Sequence, residues 1–100
     1  MWHPFDNGPS IGTKGSENGV IVFDEENDWG ARITLERDGE IAPWSITCGI
    51  YGGFLHTAFA SSEAEGRTKF AAMKSALVAI MEDENTDFRY EKQQRFAETY

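Results

Sequence analysis

The chain has one cysteine, Cys48, in 100 residues. A single thiol permits neither an intramolecular disulfide nor a cysteine metal cluster, so a reducing cytoplasm is the expected setting and no metal or cofactor is expected. Long apolar runs are missing too. None approaches the ~18 residues of a membrane span, and the opening Met1-Trp2-His3-Pro4-Phe5-Asp6 has neither the basic nor the apolar stretch of a secretory signal. Positive charge is scarce. Nine Lys and Arg stand against 17 Asp and Glu, a formal net charge of −8. That speaks against a nucleic-acid partner, because affinity for a phosphate backbone is built from clustered Lys and Arg.

What is present is the balance of one globular domain, 40% hydrophobic and 26% charged. Residues 1–18 hold Pro4, Gly8, Pro9, Gly12 and Gly15 without periodicity and read as an irregular arm, docked through Trp2, Phe5 and Ile11 or else disordered. Residues 19–84 read as the α+β core domain, and residues 85–100 as a tail able to form a short helix over 87–98. Within the core, Val20 to Phe23 is a short β-branched and aromatic run closed by the acidic stretch Asp24 to Asp28. From Trp29 to Arg37, apolar and polar residues alternate with period two, the mark of a half-buried strand. Asp38-Gly39 and Gly52-Gly53 then supply two tight turns around a third strand, 41–51, and a fourth follows at 54–60.

Two-residue turns at these places imply a register. Arg37 would face Glu40, setting Leu35 opposite Ala42, Ile33 opposite Trp44, Ala31 opposite Ile46 and Trp29 opposite Cys48. Tyr51 would face Phe54, setting Ile50 opposite Leu55, Cys48 opposite Thr57 and Ile46 opposite Phe59. Ser62 and Glu65 have the spacing of a capping box. Phe70, Met73, Leu77, Ile80 and Met81 follow at helical steps as a stripe that covers the sheet, and Val78 widens the apolar arc toward a second neighbour. The expected fold is therefore two-layer α+β: a four-stranded antiparallel meander on one long helix, with an irregular N-terminal arm and a tail that is helical or disordered. Ile46, Phe70 and Leu77 should lie at its centre.

Few residues in this layout carry chemistry. Asp24, Glu26 and Asp28 have the alternate spacing of a calcium loop, but Trp29 and Leu35 stand where such a loop needs Gly and Glu, so a solvated hairpin turn is the better reading. The implied register puts Cys48 on the helix side and His56 on the opposite face, which separates the one conceivable Cys–His dyad. The glycine pairs lack the ending of a phosphate loop, and no serine sits in a nucleophile elbow. The residues point away from an enzyme.

One surface stands out. The sheet face turned away from the helix would gather Arg32, Thr47, Tyr51, Phe54 and His56, a set suited to a ligand platform, to self-association, or to cover by the chain's own ends. Phe88, Tyr90 and Phe96 in the tail are further interface candidates. The leading functional expectation is a small acidic protein-binding or regulatory module without catalytic activity, immunity- or inhibitor-like, with a basic protein as partner. The alternatives are a small-molecule-binding protein or minor enzyme using His56 and Tyr51 on the open face, and a structural homodimer. Apolar residues in excess of one sheet contact also lead to the expectation of a homodimer through the tail, the open face or both.

Overall fold

The computed structural model describes residues 1–51 and 53–100. It is an α+β fold: a five-stranded antiparallel sheet in sequential order, with β1 (Trp2–Pro4), β2 (Val20–Asn27), β3 (Ala31–Arg37), β4 (Trp44–Ile50) and β5 (Phe54–Ala60), and two helices, α1 (Glu63–Glu82) and α2 (Thr86–Thr99). The expectation of four strands and one long helix is roughly met: the N-terminal arm adds a fifth strand, and the tail takes the helical of its two expected forms.

At the N-terminus, β1 pairs with the end of β2, His3 opposite Glu26, and so becomes an edge strand. An edge is the place in a sheet where Pro4, lacking an N–H, is tolerated. The rest of the arm is docked by main-chain bonds: Gly12 N–H donates to the Ile21 carbonyl and Ile21 N–H to the Thr13 carbonyl. At the C-terminus, Asn85 caps α2 by accepting from the N–H groups of Asp87 and Phe88. Isolated helices of this length are marginal in water. Phe96 supplies the missing stability by burying its ring in the main core.

The acidic stretch expected as a turn is the second half of β2. The reversal comes later, where the Asn27 carboxamide oxygen accepts from the N–H groups of Trp29 and Ala31 and Gly30 takes a φ of 93°. Trp29 therefore stands exposed at the turn, outside β3. Asp24 and Glu26 are strand residues on one face, and Glu25 on the other bonds Lys74 of α1 at 2.5 Å.

Both hairpins depart from the implied register. Between β3 and β4, Arg37 pairs with Trp44, Leu35 with Ile46, Ile33 with Cys48 and Ala31 with Ile50. Six residues, not two, connect these strands. Asp38 N–H donates to the Pro43 carbonyl and Glu40 N–H to the Glu17 carbonyl, so the loop is tied to the arm. The shift is by an even number of residues, hence every side chain keeps its expected face. Between β4 and β5, Ile50 pairs with Phe54, Cys48 with His56 and Ile46 with Ala58, a change of one residue. This one reverses all of β5. Phe54, His56, Ala58 and Ala60 face the helices, while Leu55, Thr57 and Phe59 face away. The Gly52-Gly53 turn expected there involves Gly52, which lies outside the described residues.

The reason for the reversal is size. The sheet side under the helices is closely filled by Ile33, Leu35, Ile46 and Cys48 against Phe70, Met73, Leu77 and Ile80. The small Ala58 and Ala60 fit beneath α1, and Phe54 and His56 flank Phe96 with ring centroids 5.4 and 5.8 Å away. Ile46, Phe70 and Leu77 are all buried. At the start of α1, Ser62 Oγ accepts from Glu65 N–H at 3.2 Å, which is one half of the expected capping box. The Glu65 carboxylate instead takes the Ser61 hydroxyl and the Lys69 ammonium, and these hold its pKa below the usual carboxylate range.

Candidate functional site: a groove on the far sheet face

The face turned away from the helices is divided by the arm. Over β2 and β3 the arm is clamped by two buried carboxylates. Asp24 receives the Arg32 guanidinium as a fork, Nε to Oδ1 at 2.9 Å and Nη2 to Oδ2 at 2.7 Å, and also the Ser10 hydroxyl at 2.7 Å. The fork to Asp24 raises the Arg32 pKa further above its already high value, against partial burial that acts to lower it. The Arg32 guanidinium also lies over the Phe5 ring, its Cζ 3.5 Å from the ring centroid. Glu36 accepts from the main-chain N–H groups of Glu17 and Gly19 at 3.2 and 3.1 Å, which fixes the turn of the arm. Gly15 passes so close that a Cβ there would run into the Glu36 carboxylate.

Beyond the arm the face stays open as a groove of about 570 Å³, walled by Phe5 and Arg32 on the arm side and by Tyr51 and Leu55 on the other. Thr34, Thr47 and Gly49 form the floor. The Thr34 hydroxyl donates to the Thr47 carbonyl at 3.3 Å, and the Thr47 and Thr57 hydroxyls are 3.2 Å apart. Gly49 keeps the floor low, because a Cβ there would meet the Phe54 carbonyl oxygen at 2.9 Å. The rim is strongly apolar for a solvent-facing surface, with Tyr51 93% and Leu55 77% exposed. Glu26 adds a carboxylate to the lining, the Glu36 carboxylate is buried under the arm, and Arg32 is the only cation there among the described residues, already engaged by Asp24.

Of the residues expected on the open face, Arg32, Thr47, Tyr51 and Phe54 line this groove, Phe54 with its carbonyl beside Gly49. Phe54 and His56 are corrected to the helix side, where their rings pack against Phe96. Phe96 is likewise consumed within the chain, whereas Phe88 and Tyr90 are exposed on α2. Leu55 and Phe5 line the groove and were missed: Leu55 because of the one-residue change in β5, Phe5 because nothing in an aperiodic arm says which strand it meets.

Cys48 and His56 sit directly opposite one another on the same face, contrary to the expected separation. No dyad results. Burial pushes the Cys48 thiol up to about 12, and an undissociated thiol is a poor nucleophile. His56 Nε2 is enclosed without a hydrogen-bond partner. The calcium spacing also comes to nothing, since Asp24 is spent on Arg32 and Ser10, and no cluster of metal ligands forms among the described residues. Comparisons with models of protein families, with curated proteins and with solved structures find no match to this chain.

Proposed function

We propose that this chain is a binding module without catalytic chemistry, and that the groove on the far sheet face receives an extended segment of a basic protein. The observation that carries this reading is the groove itself: an apolar rim left in water beside a polar floor, on a sheet face that neither helix covers. Contiguous exposed apolar surface beside small floor residues is the ordinary signature of an interaction site. Glu26 in the lining, and the net charge of −8, favour Lys or Arg beside the inserted apolar side chain. The volume also lies in the range of small-molecule sites, roughly 300–1,000 Å³, which supports a small apolar ligand as the second reading.

Titration of the labelled protein with two synthetic heptapeptides, one alternating Lys and Val and one alternating Glu and Val, followed by amide chemical shifts, is the test. The Lys–Val peptide should perturb Thr47, Gly49 and Leu55, and Leu55→Asp should weaken it at least about tenfold, the worth of one buried aliphatic contact. Equal response to both peptides, or shifts confined to the helices, would overturn the proposal. Binding of an apolar dye in the groove without peptide binding would favour the second reading.

A further inference from the structure

We infer that β5 is a self-association edge, and that a second copy of this chain adds its own β5 antiparallel to it about a two-fold axis at Thr57. This goes beyond the groove reading and does not depend on it. The sheet has two edges of opposite character. β1 is three residues long and ends in Pro4, the usual means of blunting an edge. β5 is seven residues, Phe54–Ala60, with no charged residue, no proline and no bulge in its pairing to β4. In a chain of net charge −8 the side chains of this strand carry no charge, and the Lys69 ammonium that reaches its main chain does so at Phe59, away from the centre of the strand, so two copies meet at Thr57 without like charges face to face.

The main chain of β5 is turned the right way. The Thr47 and Thr57 hydroxyls touch at 3.2 Å, as they do in the closer, non-hydrogen-bonded pairs of an antiparallel ladder. Lys69 Nζ reaches the Phe59 carbonyl at 2.8 Å from outside that ladder. Leu55, Thr57 and Phe59 therefore direct their N–H and C=O groups away from β4, and the Phe59 carbonyl keeps its second lone pair. A two-fold axis at Thr57 pairs Thr57 with Thr57 of the second copy, and Leu55 with Phe59 of the second copy. Both of these large side chains are exposed and lie on the far face. Each would cover the other across the junction. On the helix side Phe54 and His56 are already occupied by Phe96, so they neither assist nor obstruct.

A seven-residue strand is only about 24 Å long. Its edge buries less than the ~1,200 Å² of a standard interface, so the dimer is a transient one with micromolar or weaker affinity. Sedimentation of the full chain over a wide micromolar range tests the assignment, with wild type, Thr57→Pro, Phe59→Lys and the α2 variant Tyr90→Lys compared and melting curves recorded for each. The outward Thr57 N–H makes no bond within one copy, so proline there leaves the fold intact while removing both bonds across the axis. Wild type and Tyr90→Lys should dimerise with concentration, and Thr57→Pro and Phe59→Lys should lose association at least about tenfold while still melting cooperatively. A second line is Thr57→Cys, which should cross-link to itself on mild oxidation because directly opposed residues lie about 5.5 Å apart between Cα atoms. A wild type that stays monomeric throughout, or a dimer that survives Thr57→Pro and is lost with Tyr90→Lys, would overturn the inference.

Discussion

Cys48 shows how much a single position depends on its surroundings. An ordinary cysteine thiol titrates near 9.0, and burial moves this one to about 12. The folded chain thus holds the thiol proton more tightly than the unfolded one. That contribution to stability is fully present below about 9 and is lost as pH rises toward about 12. A disulfide-exchange reagent at about pH 8 should therefore leave the native thiol untouched and modify it only as fast as the chain opens. Immediate reaction of the folded protein would show Cys48 accessible and would return it to the list of candidate nucleophiles. The buried carboxylates are the residues least legible in advance. Asp24 and Glu36 look like surface acids in the sequence, because the groups that make their burial tolerable come from elsewhere: Arg32 and Ser10 for one, the main chain of Glu17 and Gly19 for the other.

Elements were legible in proportion to how far their own residues decide them. α1 announces itself by the stripe from Phe70 to Ile80 and by Ser62 at its cap, and it forms where that pattern places it. Leu77, fully buried against the sheet, should cost about 2–5 kcal/mol on truncation to alanine through lost transfer energy and the cavity left behind. Denaturant unfolding that found a loss below about 1 kcal/mol would mean that the helix does not press on the sheet there. β3 and β4 were legible for face but not for partner, because the loop over 38–43 is held by the arm and not by the chemistry of Asp38-Gly39 alone. β5 was the misleading strand. A two-residue turn at Gly52-Gly53 would send Leu55 and Phe59 inward, and their size beside His56, Ala58 and Ala60 agrees with that choice, with only Phe54 against it. The space under α1 and beside Phe96 accepts the alanines and the flat rings instead.

At the scale of the whole molecule the sheet is finished on one face and unfinished on the other. Two helices close the first, while the arm covers only the β2–β3 half of the second and stops at Phe5. What is left is the groove under Tyr51 and Leu55 and, beside it, the open edge of β5. The peptide site and the self-association edge rest on the same structural fact: Leu55, Thr57 and Phe59 point away from the helices. A two-dimensional nuclear Overhauser spectrum reads this directly. The His56 ring protons should show contacts to the Phe96 ring, and the Leu55 methyls to the Gly49 α-protons, since Leu55 Cδ1 lies 3.6 Å from where a Gly49 Cβ would stand. Contacts from the Leu55 methyls to Phe96 or to the buried face of α1, with the His56 ring free in solvent, would contradict the account at its centre.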